Sequence, residues 1–354
     1  MRDTGRALAM GSSALQAEAG TMVTTLEDAK TRTCTSPRRL AFWREYLVTM
    51  RPYLLPVSGL AGLAGMSLAR TADPWRWAIA LLAFSLSYGF GQALTDCFQQ
   101  DTDRLSAPYR PLIRGSVDTR HVLAVSLAGL VVGLAMLGWC NPWNLVVSGC
   151  AIAGLLAYTP AKRLWWAGPL VNASVVALLP VMGWLVERAN SPAALMHHPE
   201  VLAVAAMTFA AYANVVLVGH LKDLRADWQA GYSTVPVVFG WRRSALASDV
   251  CAAAALLAGL WALMLTGDAA WPQSFLSVGA LAAGALLTVR TQVMLHRTRR
   301  EDEAYRPLLN AVRVFLVLHV AVIASARPSW SPLAAAFYAA FEFLVARRPQ
   351  RRQI

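Results

Sequence analysis

Long apolar stretches separated by short polar segments run along most of this chain. Each measures roughly 16 to 24 residues, near the length that an α-helix needs to cross the hydrocarbon core of a bilayer. We place them at 53–69, 77–98, 121–139, 143–159, 167–186, 201–219, 244–266, 274–290 and 308–326. The pattern predicts an all-α, polytopic membrane protein with about nine transmembrane helices.

Both ends of the chain lie outside this pattern. Residues 1–40 are polar and rich in small residues, so we interpret them as a disordered cytosolic tail rather than as a signal peptide or a span. Residues 41–329 then form the transmembrane domain, and 330–354 form an apolar helix with a basic tail. The segment 330–346 is short and aromatic, and its sequence leaves open whether it crosses the membrane or lies at its surface.

Composition supports the membrane assignment and argues against other classes. The 354 residues are 56% hydrophobic and only 15% charged, which is too apolar for an ordinary soluble domain. The net charge of +12 comes from short basic clusters without a nucleic-acid-binding motif, so we expect no nucleic acid partner. The five cysteines show no CxxC pairing, so neither a disulfide framework nor a zinc site is indicated.

The distribution of basic residues predicts the orientation of the spans. Loops on one side contain Arg104, Arg110, Arg114, Arg120, Lys162, Arg163, Lys222, Arg225, Arg242, Arg243, Arg297, Arg299, Arg300 and Arg306. Loops on the other side contain Arg70, Arg76, Arg188 and Arg327. Because basic loops are retained in the cytoplasm, we expect a cell membrane protein, in a bacterial inner membrane, with its N-terminus and active-site loops cytoplasmic.

The cytoplasmic end of the second span contains the first aspartate segment, residues 96–103. If this segment is helical, Asp96, Gln99 and Asp103 share one face, whereas Asp101 points away. Two stacked carboxylates at a membrane end repel each other unless a cation lies between them or they reach water. Magnesium that bridges them to a phosphate ligand would relieve this repulsion, and pairing with neighbouring arginines is the alternative.

The cytoplasmic end of the sixth span contains the second aspartate segment, residues 223–227. Asp223 and Asp227 are four positions apart, so they would lie on one helical face. An even number of crossings separates the second and sixth spans, so both segments lie on the same side of the bilayer. They look like two halves of a metal–diphosphate site, each holding magnesium through one or two carboxylates.

Cationic and polar side chains near the two segments complete the candidate site. Lys222, Arg110 and Arg114 would neutralise phosphate oxygens, the arginines through their bidentate geometry.

Further polar residues at the ends of the fourth, fifth and sixth spans leave alternatives open. Tyr158, with Lys162 and Arg163, could reach the same headgroup or anchor its helix at the interface. Asn172 could face a cavity or pair with a neighbouring helix. We interpret His220 as an interfacial polar residue, since magnesium prefers oxygen ligands.

From about residue 45 to 326 the chain resembles the intramembrane prenyltransferases of the UbiA superfamily. The family's first aspartate motif and the Arg-Pro-Leu loop after it are matched here by Asp103-Arg104, Pro108, Arg110-Pro111-Leu112 and Gly115. The family's loop after the fourth helix and the asparagine that follows it are matched here by Tyr158-Thr159-Pro160, Lys162-Arg163 and Asn172. The second aspartate motif is matched most closely, by Lys222-Asp223, Asp227, Gly231-Tyr232 and Thr234-Val235-Pro236.

The first motif departs from the pattern of the family. Counting back from Asp103, the pattern NxxxDxxxD places its asparagine at Thr95 and its first aspartate at Gln99. Of the two aspartates beside these positions, Asp96 fits the helical face and Asp101 does not. We therefore expect Asp96 to be the second carboxylate.

The resemblance implies a ring of nine helices around a cavity that is capped on the cytoplasmic side, with a diphosphate held by Mg²⁺ between the motifs. The implied reaction is the transfer of a prenyl group from a polyprenyl diphosphate to a lipophilic acceptor, most often an aromatic one. The implied metal-binding and catalytic residues are Asp96, Asp103, Asp223 and Asp227. The implied diphosphate-binding residues are Arg110, Arg114, Lys162, Lys222, Tyr158 and Asn172.

Two other functions are alternatives to prenyl transfer. A terpene cyclase of the same superfamily would capture the allylic cation with the double bonds of its own substrate, and the altered first motif keeps this alternative open. A transporter would place ionisable groups near the midplane of the bilayer. The charged residues here concentrate at span ends, so the transporter is disfavoured.

Overall fold

Helices make up the fold, as the hydrophobic pattern predicts. The computed structural model describes residues 35–69, 73–267, 273–348 and 350. Outside its helices, these ranges contain one isolated β-bridge, between Thr35 and Val117. The α-helices are α1 (Leu40–Met50), α2 (Leu55–Leu68), α3 (Pro74–Phe98), α4 (Gln100–Ser106), α5 (Thr119–Cys140), α6 (Trp143–Ala161), α7 (Ala167–Trp184), α8 (Pro199–Lys222), α9 (Leu224–Gln229), α10 (Val235–Thr266), α11 (Gln273–Arg297), α12 (Tyr305–Ala326) and α13 (Ser331–Ala346).

The predicted membrane spans are confirmed as helices. Within the described ranges, nine helices are long and apolar enough to cross a bilayer, and a tenth is formed if α1 and α2, which are bent by 43°, are counted as one span. The segment 330–346, left open by its sequence, forms α13, which is long enough to cross when its preceding turn is included. Helix α13 packs against α2 and α12.

The hydrophobic pattern does not predict helix α1, because this helix has only 11 residues and contains the charged residues Arg44 and Glu45. Phe42 and Tyr46 are buried, whereas Leu40, Trp43 and Leu47 are exposed. Of the predicted N-terminal tail, residues 1–34 lie outside the described residues.

Helices α2 and α7 approach so closely that their backbones touch. A Cβ atom added to Gly65 would overlap the carbonyl group of Pro180, and one added to Gly183 would overlap the carbonyl oxygen of Gly62. Small residues at helix interfaces permit this approach in membranes, where packing rather than the hydrophobic effect drives association. This contact holds α2 and α7 together beside the cavity described below.

Each aspartate segment is broken at one residue. Helix α3 ends before Gln99 and α8 ends before Asp223, and both residues have non-helical backbone angles. The expected continuous helical faces are therefore wrong, because the chain turns out of each span at its end. The short helices α4 and α9 that follow pack against each other, which brings the two segments together.

Candidate active site

A cavity of about 530 Å³ opens among α2, α3 and α5–α8, and α12 adds to its wall. This volume is typical of small-molecule sites. Most of the wall is apolar, with Leu82, Leu86, Met136, Val176 and Leu179 among its side chains. One end is polar, and its side chains are Arg51, Gln92, Asp96, Gln99, Asp103, Arg110, Tyr158, Lys162, Asn172, His220, Lys222 and Asp223.

At the first aspartate segment, arginines surround the carboxylates. Nη2 of Arg51 donates to both oxygens of Asp96 at 3.0 Å, and Nε2 of Gln92 donates to Oδ1 of Asp96 at 2.7 Å. Nη1 of Arg110 lies 3.5 Å from the same Oδ1 and also pairs with Asp103. Asp96 and Asp103 converge as predicted, and the cation between them is a guanidinium group.

The electrostatics of Asp103 follow from its burial. Loss of hydration raises the pKa of Asp103 to about 6, while Arg110 opposes the shift and the neighbouring Asp96 adds to it. A further cation at the cavity surface would favour the charged form of this carboxyl group.

At the second aspartate segment, the two carboxylates have different surroundings. Asp223 lines the cavity, and its Oδ1 lies 3.6 Å from Nζ of Lys222. Asp227 is fully buried behind the wall, where Nζ of Lys162 donates to its Oδ1 at 2.8 Å. Its Oδ2 lies near the hydroxyl of Thr234 but outside hydrogen-bonding geometry. Helix α9 therefore turns Asp227 towards Lys162 and leaves Asp223 at the cavity.

The pKa values of Asp223 and Asp227 are shifted in opposite directions. Burial would raise the pKa of Asp223, but Lys222, Lys162 and Arg110 outweigh burial and hold that pKa below its ordinary value. Burial raises the pKa of Asp227, although Lys162 opposes the shift. Asp223 is therefore the better anionic ligand at the cavity surface.

Three of the polar residues whose position the sequence left open lie at the cavity, whereas Arg163 is exposed and does not line it. Tyr158, Lys162 and Asn172 all line it. The hydroxyl of Tyr158 lies 3.4 Å from Nε2 of His220. His220 is buried and lines the cavity too, because it lies within α8 before the chain turns at Asp223.

Arg114 does not reach the cavity. Its Nη2 donates to Oε2 of Glu45 at 2.7 Å, and the Arg114 side chain is 40% exposed. The backbone N–H of Arg114 donates to the carbonyl of Arg110 in a tight turn that ends at Gly115, whose φ is 69°. This turn separates the two arginines, so the expectation that both face the diphosphate is not supported for Arg114.

Arg51 and Gln92 are the site residues that the sequence pattern missed. Arg51 precedes the first predicted span, yet it is buried and lines the cavity. Its φ of 53° is the only positive value of a non-glycine residue in the described ranges. An arginine directly before Pro52, at the bend between α1 and α2, was the available signal.

The carboxylates suit a magnesium ion that is shared with a phosphate ligand. No group of three or more His, Cys, Asp or Glu side chains in the described part of the chain is arranged to hold a metal ion. Magnesium bound together with substrate phosphates needs only one or two protein carboxylates. Asp223 supplies a carboxylate at the cavity surface, and Asp227 supplies an oxygen without a hydrogen bond.

Comparison with known proteins gives consistent matches along most of the chain. The model of the UbiA prenyltransferase family matches residues 56–319. The digeranylgeranylglyceryl phosphate synthase of Thermococcus gammatolerans is 27% identical over 296 residues, which cover 80% of this chain and 98% of that protein. A protoheme IX farnesyltransferase of Hahella chejuensis is 28% identical over 300 residues, with coverages of 80% and 94%.

A solved structure shows the same fold. The UbiA homologue from Archaeoglobus fulgidus bound to GPP and Mg²⁺ superposes with a TM-score of 0.59 at 18% sequence identity, covering 85% of this chain and 99% of that one.

Proposed function

The chain belongs to the UbiA prenyltransferase family, and from this premise we propose that it transfers the prenyl group of a polyprenyl diphosphate to an acceptor inside the membrane. The supporting observation is the division of one cavity into an apolar wall and a single end that contains both carboxylates and cations. A prenyl diphosphate is divided in the same way, with an apolar chain and one strongly anionic head. The shape and chemistry of the cavity therefore match this substrate class.

The cations of the polar end would bind the diphosphate head. Arg110, Lys162 and Lys222 line the cavity beside the aspartate segments, where they would neutralise phosphate oxygens. Tyr158 and Asn172 lie on the same wall and would donate hydrogen bonds. The prenyl chain then extends along the apolar wall, which excludes water from its reactive end.

The reaction begins when the bond between C1 of the prenyl group and the diphosphate oxygen breaks, with the electron pair leaving on the oxygen. The cations at the polar end stabilise the charge of the departing diphosphate, which is where charge develops in the transition state. The apolar wall protects the allylic cation from water until an electron pair of the acceptor forms a bond to C1. The acceptor then loses a proton, which balances the charge.

Magnesium is part of this proposal, and when bound it would add positive charge against the departing diphosphate. The proposed ligand residues at the second segment are Asp223, which lines the cavity, and Asp227, which is buried behind it beside Lys162. Asp103 lines the same cavity at the first segment. The Archaeoglobus homologue bound to GPP and Mg²⁺ supports this cofactor. Asp96, which the sequence predicts to hold metal as well, is instead paired with Arg51 and Arg110.

The acceptor is proposed to be lipophilic or aromatic. The names of the two relatives indicate prenylation of a glyceryl phosphate lipid in one and of protoheme IX in the other. Both acceptors combine an apolar body with polar groups, which suits entry into this cavity from the bilayer. We further propose that the protein lies in a cell membrane with its aspartate segments facing the cytoplasm, as its basic loops favour.

The test is product formation by the purified full-length chain with Mg²⁺, prenyl diphosphates of graded length and an extract of lipophilic acceptors. Mass spectrometry should find a prenylated acceptor, and diphosphate release should fall to background in the Asp103→Ala/Asp227→Ala double variant. Arg120→Ala is the matched control, because this exposed arginine at the start of α5 does not line the cavity. A cyclic hydrocarbon or terpene alcohol formed without acceptor would instead establish the cyclase, and diphosphate release that survives the double variant would contradict this chemistry.

A further inference from the structure

The first aspartate segment contains a guanidinium group where the sequence predicts a metal ion. We propose that Arg51 and Arg110 take the place of magnesium between Asp96 and Asp103, so that the diphosphate is bound with one metal ion, at Asp223 and Asp227, rather than with one at each segment. This inference rests on the proposed function, since it concerns how the same site holds a prenyl diphosphate.

The first support is the saturation of Asp96. Both of its oxygens accept hydrogen bonds from Arg51, and Oδ1 also accepts one from Gln92 and lies within reach of Arg110. Only 3% of the residue is exposed. Magnesium requires oxygen ligands at about 2.0–2.1 Å in a nearly ideal octahedron. An ion bound to Asp96 would therefore have to displace a buried guanidinium group.

The second support is the charge balance. Two buried carboxylates needed a cation between them, and Arg110 supplies it by contacting both Asp96 and Asp103. Arg51 supplies a second positive charge, 3.0 Å from Oδ1 of Asp96. Two guanidinium groups balance two carboxylates, so the repulsion that called for a divalent cation is already relieved.

The third support is the altered motif itself. Gln99 stands where the family pattern has an aspartate, and it lines the cavity as a neutral amide whose Nε2 lies 3.4 Å from Oγ1 of Thr159. An amide lacks the negative charge that favours a divalent cation. The neutral amide of Gln99 and the guanidinium group of Arg51 beside Asp96 therefore both reduce the net negative charge that would attract a divalent cation.

The fourth support is the strained placement of Arg51. Its left-handed backbone, with φ 53° and ψ 69°, is unfavourable for a residue with a Cβ atom, and such strain concentrates at functional sites. The Nε atoms of Arg51 and Arg110 are both buried without a hydrogen-bond partner, while both side chains line the cavity. The Nε–H groups of both arginines are thus available to donate hydrogen bonds to phosphate oxygens.

The second segment is also buried at Asp227 and also paired with two cations, but its carboxylates have fewer hydrogen bonds than Asp96. Oδ2 of Asp227 has no hydrogen bond, and the contact between Asp223 and Lys222 is 3.6 Å long. Lysine is a point charge that leaves more of a carboxylate accessible than a bidentate arginine does. The metal ligands should therefore lie here.

The experiment counts metal ions on the purified full-length protein. Mn²⁺ replaces Mg²⁺, an uncleavable prenyl thiodiphosphate replaces the substrate, and bound Mn²⁺ is titrated by electron paramagnetic resonance. We expect one Mn²⁺ per chain in the wild type and in Asp96→Asn, and at least about tenfold weaker Mn²⁺ binding in Asp227→Asn. Two ions in the wild type, or an ion lost in Asp96→Asn and kept in Asp227→Asn, would overturn the inference.

A reciprocal variant tests the role of Arg51 directly. Arg51→Gln/Gln99→Asp removes the guanidinium group and restores a carboxylate, so its Mn²⁺ count should rise to two, with the unfolding midpoint showing that the protein is intact. A count that stays at one in the folded variant means that Arg51 does not replace a metal ion.

Product formation on the same preparations separates this inference from the proposed function. A wild type that makes prenylated product with two Mn²⁺ ions contradicts the inference alone. A wild type that binds no Mn²⁺ with the diphosphate analogue and makes no product contradicts both.

Discussion

Asp227 and Lys162 form an ion pair that is almost completely buried, with side-chain exposures of 0% and 5%. Removing one partner of such a pair leaves an uncompensated charge, which costs about 3–5 kcal/mol. Lys162→Met should therefore lower the free energy of unfolding in detergent by about this amount. The double variant Lys162→Met/Asp227→Leu should recover much of the loss, because replacing both charges by apolar groups is often neutral.

The matched control for this prediction is the exposed pair of Arg114 and Glu45, whose side chains are 40% and 30% accessible. Exposed pairs contribute less than about 1 kcal/mol, so Arg114→Met should change the unfolding free energy by no more than this. Equal losses for Lys162→Met and Arg114→Met would contradict the structural distinction between the two pairs.

Arg110 and Arg114 also allow a test of the site itself, because the sequence assigns both to the diphosphate and the structure assigns only Arg110. Arg110→Gln should reduce the rate of diphosphate release by about 10²-fold, the typical loss when one donor to a developing anion is removed. Arg114→Gln should retain most of the activity, since it loses only a surface contact with Glu45. Similar losses for the two variants in steady-state kinetics would favour the sequence assignment.

At this scale, the sequence identifies residues better than it identifies their partners. Asp103, Asp223, Tyr158 and Lys162 were recognised from local patterns, and all of them line the cavity. The contact between Arg51 and Asp96 was missed, because it joins residues 45 positions apart and depends on the bend between two helices. Hydrophobic periodicity contains no information about such a contact.

At the scale of the helices, the contact between α2 and α7 makes a sharp prediction. Gly65→Ala places a methyl group against the carbonyl of Pro180, a backbone atom that cannot move away as a flexible side chain could. Overpacking of this kind costs typically about 1–3 kcal/mol or more. Thermal unfolding in detergent should therefore show a clear drop in the midpoint for Gly65→Ala.

Gly149 in α6 is the matched control, because a Cβ atom added there meets nothing within 4 Å. Alanine is also the better helix former by up to about 1 kcal/mol, so Gly149→Ala should leave the midpoint unchanged or raise it slightly. A similar drop for both variants would show that loss of glycine, rather than the contact between α2 and α7, is responsible.

The helices could be predicted from the sequence where length and hydropathy determine them. They could not be predicted where tertiary contacts determine where a helix ends. Eight of the nine predicted spans follow from apolar length alone, whereas the first, at 53–69, is long enough only together with α1. The breaks at Gln99 and Asp223 do not follow from apolar length, because both segments are compatible with a continuous helix. Packing of α4 against α9 accompanies these turns, and it depends on residues more than a hundred positions apart along the chain.

For the whole molecule, the alternation of helices sorts the loops into two sets. The first set includes the C-terminal ends of α3, α6 and α8, which lie at the polar end of the cavity. It also includes the basic loop before α12, which contains Arg299 and Arg300. The opposite set includes the turn Pro192–His197, between α7 and α8. If α13 crosses, the basic residues Arg347 and Arg348 join the first set. The structure thus keeps basic loops and the aspartate segments on the same side.

This arrangement predicts which side of the membrane the active site faces. Because basic loops remain in the cytoplasm, a cysteine at Arg299, which is exposed, should react with a membrane-impermeant maleimide in inside-out vesicles and not in right-side-out vesicles. A cysteine at Ala193, exposed in the opposite turn, should show the reverse pattern. The parent chain with its five cysteines replaced by alanine supplies the background, and labelling after solubilisation shows that both sites are reactive. Arg299→Cys labelling confined to right-side-out vesicles would place the aspartate segments outside, and would require the prenyl diphosphate to reach them from that side.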